Sequence, residues 1–163
     1  MALSTTIRDR LQTQGYVDVD EDTLAQVAPW LRWSPSLCTA IVILGTALGS
    51  EWVLWALVPF ASLGALFSRH PFDYLYSLGL RRLTGTPPLR KHGAPRRFAC
   101  GLAAVWITAT GAAFAAGAPA AGYALGSVLS AVGALVSITH FCIPSTVYGL
   151  LFGKPVACEE RPA

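Results

Sequence analysis

The sequence predicts an all-α membrane protein: four transmembrane helices paired as two hairpins, with an amphipathic interfacial helix in the long cytoplasmic loop. Three observations carry that expectation. Of the residues, 53% are hydrophobic and only 13% are charged, about half the charge of an average soluble domain. Four apolar stretches approach or reach the roughly 20 residues that a spanning helix needs. Every Lys and Arg falls before the first stretch, between the second and third, or after the fourth. With four spans, those three places share one face of the membrane.

The elements follow in order. Residues 1–33 read as a polar cytoplasmic N-terminal segment. They lack a basic stub before a short apolar run, so the first membrane helix is expected to act as its own insertion signal. Asp18, Asp20, Glu21 and Asp22 lack the glycine turn and distal glutamate of a calcium loop. They read as the start of a helix before Leu24. The first span runs from Ser34 to Gly49 and the second from Trp52 to Ser68. One bent helix over both would be about 50 Å long, too long for the hydrocarbon layer. Gly49, Ser50 and Glu51 instead supply a turn, an N-cap and a first-turn acid, which makes 34–68 a hairpin. The third span runs from Phe98 to Ala116 and the fourth from Ala120 to Cys142. Gly117, Ala118 and Pro119 form the turn between them. The second hairpin is therefore 98–143, followed by a cytoplasmic tail, 144–163.

The loop 69–97 is basic and patterned. Pro71 opens a helix with Phe72, Leu75, Tyr76, Gly79 and Leu83 on one face, and Asp73, Ser77 and Arg81 on the other. That pattern fits a helix lying on the inner leaflet, broken by Gly85, Pro87 and Pro88. Arg81, Arg82, Arg90, Lys91, Arg96 and Arg97 are expected to meet anionic lipid headgroups. The positive-inside rule puts this face, and both termini, in the cytoplasm. Trp30 and Trp33 then fall at the inner interface, and Trp52 and Trp55 at the outer one. Gly45 with Gly49 and Gly122 with Gly126 form two G-x-x-x-G pairs, which favour close helix packing within the bundle or against another membrane subunit.

Composition also excludes classes. No basic face on a soluble fold suggests nucleic acid. No phosphate-binding loop, nucleophile elbow or intramembrane carboxylate pair is present, and no cofactor is predicted. Candidate groups are few. His70 and His140 lie at the cytoplasmic ends of the second and fourth spans. They either cap helix C-termini or jointly hold a haem or metal. Cys38, Cys100 and Cys142 fall near the cytoplasmic interface and Cys158 in the tail, without a Cys-x-x-Cys pair or zinc spacing. Cys142 is the candidate reactive thiol, since it precedes Ile143 and Pro144 where the helix must break, and Cys100 is its candidate companion. A faint repeat relates His70, Pro71, Tyr76, Gly79, Leu80, Gly85 and Pro87 to His140, Pro144, Tyr148, Gly149, Leu150, Gly153 and Pro155. It implies two hairpins related by an axis along the membrane normal.

Three phrases, His70 to Leu89, Ala94 to Trp106 and His140 to Gly153, resemble an uncharacterised bacterial membrane family catalogued as domain of unknown function 4395. The resemblance implies a polytopic fold in the cytoplasmic (inner) membrane of a bacterium and no established activity. Many relatives look like carriers of a Phe-Cys-x-Gly-Cys pair, where this chain reads Phe141, Cys142, Ile143, Pro144 and Ser145, so the second thiol is missing. Association of relatives with rhodanese- or thioredoxin-like proteins hints at sulfur or redox traffic. The scarcity of catalytic groups and the small-residue helix faces put a non-catalytic subunit or assembly factor of a membrane complex first. A thiol or sulfur-handling protein using Cys142 stands second, and a haem- or pigment-associated protein using His70 and His140 third.

Overall fold

Among the described residues, apolar runs punctuated by Gly, Ser and Pro fold into nine α-helices and no strand. The computed structural model describes residues 4–17, 19–89 and 91–153. Asp18, Arg90, Cys158 and the rest of the tail beyond Gly153 lie outside the described residues. Two short helices come first, α1 (Thr5–Thr13) and α2 (Glu21–Val27), then a 3₁₀ turn (Trp30–Arg32) that runs into α3 (Trp33–Ala47). Next come α4 (Glu51–Leu66) and α5 (Pro71–Leu75). A π turn (Tyr76–Leu80) joins α5 to α6 (Arg81–Thr84). Then follow α7 (Ala94–Ala115), α8 (Pro119–Thr139) and α9 (Ile143–Phe152).

Helices α7 and α8 are each long and apolar enough to cross a membrane. The number rises to four if each of two bent pairs counts as one span, Glu21–Val27 with Trp30–Ala47 and Glu51–Leu66 with Pro71–Gly79. The helix ends follow from local chemistry. Ser50 Oγ accepts the Val53 N–H and Glu51 sits in the first turn of α4, satisfying a free donor and the positive end of the helix. Gly49 and Gly117 take φ +58° and +71°, the left-handed region where glycine carries no steric cost.

α4 packs along α7 and α3 along α8, while α7 meets α8 and α3 meets α4. Small residues set these approaches. A Cβ on Gly126 would clash with Thr46, and one on Gly133 with Thr39, so α8 can meet α3 only with hydrogen at both positions. Gly122 receives the Phe114 ring and Gly45 the Leu54 side chain. Large apolar side chains such as Leu44, Trp52, Leu66, Val105 and Ile138 point outward, which water does not favour and lipid does.

Three segments differ from their expected form. Residues ahead of α3 are a folded cap: Leu11, Tyr16, Leu24, Val27 and Leu31 form an apolar cluster with Tyr76 and Leu89. In α2, Asp20 caps the N-terminus by accepting the Thr23 N–H at 2.9 Å. The amphipathic helix does not divide along its two expected faces. Asp73 and Tyr76 are buried, whereas Leu75, Leu78 and Leu83 are exposed, because its polar groups find partners inside while lipid-compatible groups need none. Finally, residues expected as tail form α9, which packs on α7 through the Phe98 and Tyr148 rings, 5.6 Å apart.

Candidate functional site

At one end of the bundle a chain of polar side chains is sealed from solvent. Arg96, on the first turns of α7, donates from Nη1 to Tyr16 Oη and from Nη2 to the Leu31 carbonyl at 2.9 Å. Tyr16 Oη lies 3.1 Å from His92 Nδ1, and His92 Nε2 lies 2.6 Å from Asp73 Oδ2. Ser34 Oγ donates to Asp73 Oδ1, and the His70 N–H donates to Asp73 Oδ2 at 3.2 Å. With three donors converging on it, Asp73 is a carboxylate. His92 then carries its proton on Nε2 and accepts the Tyr16 hydroxyl proton on Nδ1. The network holds one positive and one negative charge with neutral groups between them. Burying such charges is tolerable only when their hydrogen-bonding capacity is met.

Local sequence explains how the parts arrive. His70 is the N-cap of α5: its Nδ1 accepts the Phe72 N–H at 3.3 Å, Asp73 returns the bond to the His70 N–H, and Pro71 occupies the first turn. This is a capping box with an imidazole in place of the usual hydroxyl. Tyr16 meets His92 because two glycines touch: a Cβ on Gly15 would lie 2.8 Å from the Gly93 Cα.

Tyr16, His70, Asp73, His92 and His140 lie outside the four long apolar helices, and their protonation follows from burial and neighbours. Burial pushes the Tyr16 phenol up to about 12 against the opposing Arg96 charge. Burial alone would raise the Asp73 carboxyl, but the His92 hydrogen bond, Arg96 and Ser34 outweigh it and hold it well below the usual range. His92 is pushed down by burial and by Arg96, with Asp73 opposing. The His92–Asp73 contact is thus a hydrogen bond from a neutral imidazole. Burial, helped by Arg96, lowers His70 to about 4, and burial with Arg32 lowers His140 to about 4.

Beside this network lies a cavity of about 370 Å³ between α3, α7 and α8. Its walls are Val42, Ile107, Leu129, Val132 and Val136, with Trp106. Its polar end is formed by Ser34, His70 and Arg96 together with Cys38, Cys100 and Cys142. All three thiols are free. Cys38 Sγ lies 3.8 Å from His70 Nε2. Cys100 sits across from His70: a Cβ added to Gly64 would lie 3.2 Å from both Cys100 Sγ and His70 Nε2. Cys100 is also an electrostatic neighbour of both Cys38 and Cys142. The three come from separate elements, α3, α7 and the N-cap of α9.

The predicted site residues divide. Cys100 and Cys142 share the cavity, and His70 joins them. His140 does not line it. It ends α8 at φ +58°, and its carbonyl accepts from Gln14 Nε2 at 2.6 Å. Among the described residues no group of His, Cys, Asp or Glu is arranged to hold a metal ion. Arg81, Arg82, Lys91 and Arg97 are exposed, while Arg96, expected at lipid headgroups, is buried in the network. Arg97 caps α4, donating to the Ala65 and Leu66 carbonyls at 2.9 and 2.8 Å. Gly45, Gly122 and Gly126 are spent on contacts within the chain. Gly49 turns the chain opposite Phe114 and Tyr123. Sequence reasoning missed Tyr16, Ser34, Asp73 and His92. Of these only Asp73 carried a signal, the spacing His70-Pro-Phe-Asp73 of a capping box.

A family model described as Domain of unknown function (DUF4395) matches residues 28–152. That span contains the whole cavity except Gln14. No curated protein and no solved structure matches the chain.

Proposed function

The chain belongs to the DUF4395 family, and from that premise we propose that it is a membrane thiol protein, with Cys100 as the central reacting thiol and Cys142 and Cys38 as its partners. The family description carries no activity, so the reading rests on the site. One observation carries it: three cysteines from three elements meet at the polar end of one cavity, beside an imidazole and a guanidinium. Cysteines serving as small apolar fillers have no reason to gather there.

In this reading the chain crosses the cytoplasmic (inner) membrane of a bacterium four times, through α3, α4, α7 and α8 as two hairpins. The helix from Pro71 to Thr84 lies along the inner leaflet. Leu75, Leu78 and Leu83 face acyl chains, and Arg81, Arg82, Lys91 and Arg97 face anionic headgroups. Both termini and the basic loop are cytoplasmic. The reading as a non-catalytic subunit loses one of its motives, because three of the four G-x-x-x-G glycines pack tightly against residues of this chain. The haem reading loses its pair, because His140 does not reach the cavity that His70 lines.

Oxidation tests the proposal. In a Cys158→Ser background, membranes are treated with diamide, denatured, and alkylated with a mass-tagged maleimide. Two thiols each give up a hydrogen to the diamide, which becomes the hydrazine, and one S–S bond forms. The expected product joins Cys100 to Cys142 or to Cys38, and Cys100→Ser abolishes it. Three thiols that all remain open to maleimide would overturn the reading and return attention to co-purifying membrane subunits.

A further inference from the structure

We infer that the cavity binds a lipid-soluble quinone, which accepts the two electrons of the thiol pair; the electron-transfer half rests on the thiol reading above. Four features of the cavity select this class. Its body is apolar, and its volume of about 370 Å³ is that of a small-ligand pocket. Leu102 on α7 and Val128 on α8 both line the cavity and are exposed, on helices that the reading above sets in lipid. A ligand therefore arrives from the bilayer.

The polar end offers donors. His70 Nδ1 already accepts the Phe72 N–H, so a neutral His70 carries its proton on Nε2, the nitrogen that faces Cys38. Arg96 has only donors, and thiols are weak donors. Such an end suits a head group that presents acceptors, as a quinone carbonyl does. The fourth feature is charge. Arg96 is offset by Asp73 through Tyr16 and His92. A carboxylate or phosphate head would bring an uncompensated negative charge into this neutral cluster, whereas a neutral carbonyl does not.

The chemistry balances. Cys100 and one partner thiol each lose a hydrogen and form an S–S bond. The two quinone carbonyls gain those two protons and two electrons and become the quinol hydroxyls. His70 can pass its Nε2 proton to the near carbonyl and regain one from a thiol, which leaves the balance unchanged, while Arg96 only donates a hydrogen bond.

The test uses the full chain in lipid nanodiscs with decylubiquinone as the probe. Quenching of the Trp106 fluorescence, taken as the signal missing in Trp106→Phe, should saturate. Ala103→Phe, which fills the cavity, should weaken binding at least about tenfold, while Val105→Phe on the lipid side of the same helix should not. Val132→Phe fills the cavity from α8 and serves if Ala103→Phe loses its helical circular dichroism. Anaerobic mixing of reduced protein with the quinone should yield one quinol for every two thiols lost, and Cys100→Ser should bind without producing quinol. Absence of saturable quenching, or quenching that both filling variants leave unchanged, would overturn the inference. So would binding without quinol in protein whose Cys100 still forms the diamide disulfide, and in that case the thiol reading survives. Thiols inert to diamide as well would sink both.

Discussion

The helix pairs α3–α4 and α7–α8 each leave the bundle through a histidine and turn into a short helix with proline in its first turn, yet the two exits are built differently. At the first, His70 is the N-cap of α5 and its ring enters the cavity. At the second, the same structural position, the N-cap of α9, is held by Cys142, and it too lines the cavity. His140 instead ends α8 in the left-handed conformation. The free carbonyls are also met differently. Arg97, a neighbour in space on α7, caps α4. The end of α8 is capped from the N-terminal segment: Arg10 donates to the Thr139 carbonyl at 2.6 Å, Gln14 to His140, and Arg32 to Ile138 at 3.2 Å. The difference teaches that a helix end at the edge of an apolar bundle must find donors, and that the cap exists largely to supply them to the second hairpin. Only the first exit carries a buried acid, so it is the electrostatic anchor of the site.

The largest test of that contrast is Asp73→Ala. It leaves Arg96 buried without its counter-charge and should cost about 3–5 kcal/mol, read from chemical unfolding in detergent. Arg10→Ala at the second exit should cost only about 1 kcal/mol. Equal losses would mean that the exits are anchored alike. Next comes Gly15→Ala. Its φ of +96° and its 2.8 Å approach to the Gly93 Cα predict a loss of about 2–3 kcal/mol. Tyr16 fluorescence in a tryptophan-poor variant should report its separation from His92. A loss no larger than that of Gly85→Ala, where φ is +64° but space is open, would show that the glycine contact is incidental.

At the second exit, His140→Ala keeps the left-handed backbone with a residue that disfavours it and should cost about 1–2 kcal/mol. His140→Gly should cost less than about 1 kcal/mol, since the backbone cost is removed. The smallest effect is the share of His140 in acid sensitivity. Its folded pKa of about 4 lies below the 6.5 of a free imidazole, so the unfolded chain takes up the proton first. Its contribution is complete above pH 6.5 and is lost as pH falls from there towards 4. The thermal midpoint of the wild type should therefore drop over that window, and that of His140→Asn should drop slightly less. An unchanged acid limb in the variant would mean that the ring titrates in the folded chain as it does in solution.

The helices themselves were legible. The predicted spans from Ser34, Trp52, Phe98 and Ala120 start within a few residues of α3, α4, α7 and α8, because hydropathy and turn residues act locally. Within the candidate site, Cys100, Cys142 and His70 were named from sequence, but their meeting was not readable. Asp73 falls on the polar face of the expected helix, and helical periodicity separates two faces without saying which one looks inward. In a membrane protein the polar face can be the inner one. Tyr16 and His92 stand 76 residues apart, and their contact depends on Gly15 and Gly93 touching, which no local pattern encodes.

What the sequence determined by itself is therefore one-dimensional: where apolar runs begin and end, which residues turn the chain, and which face collects positive charge. Each of these depends on near neighbours along the chain and on the solvent that surrounds them. The tertiary structure alone decided that three cysteines from distant segments share one cavity, that Arg96 serves a buried network rather than the lipid surface, and that the N-terminal segment closes the second hairpin. Those outcomes depend on how closely helix backbones approach and on which buried donor finds which acceptor. Both are properties of the packed chain in three dimensions.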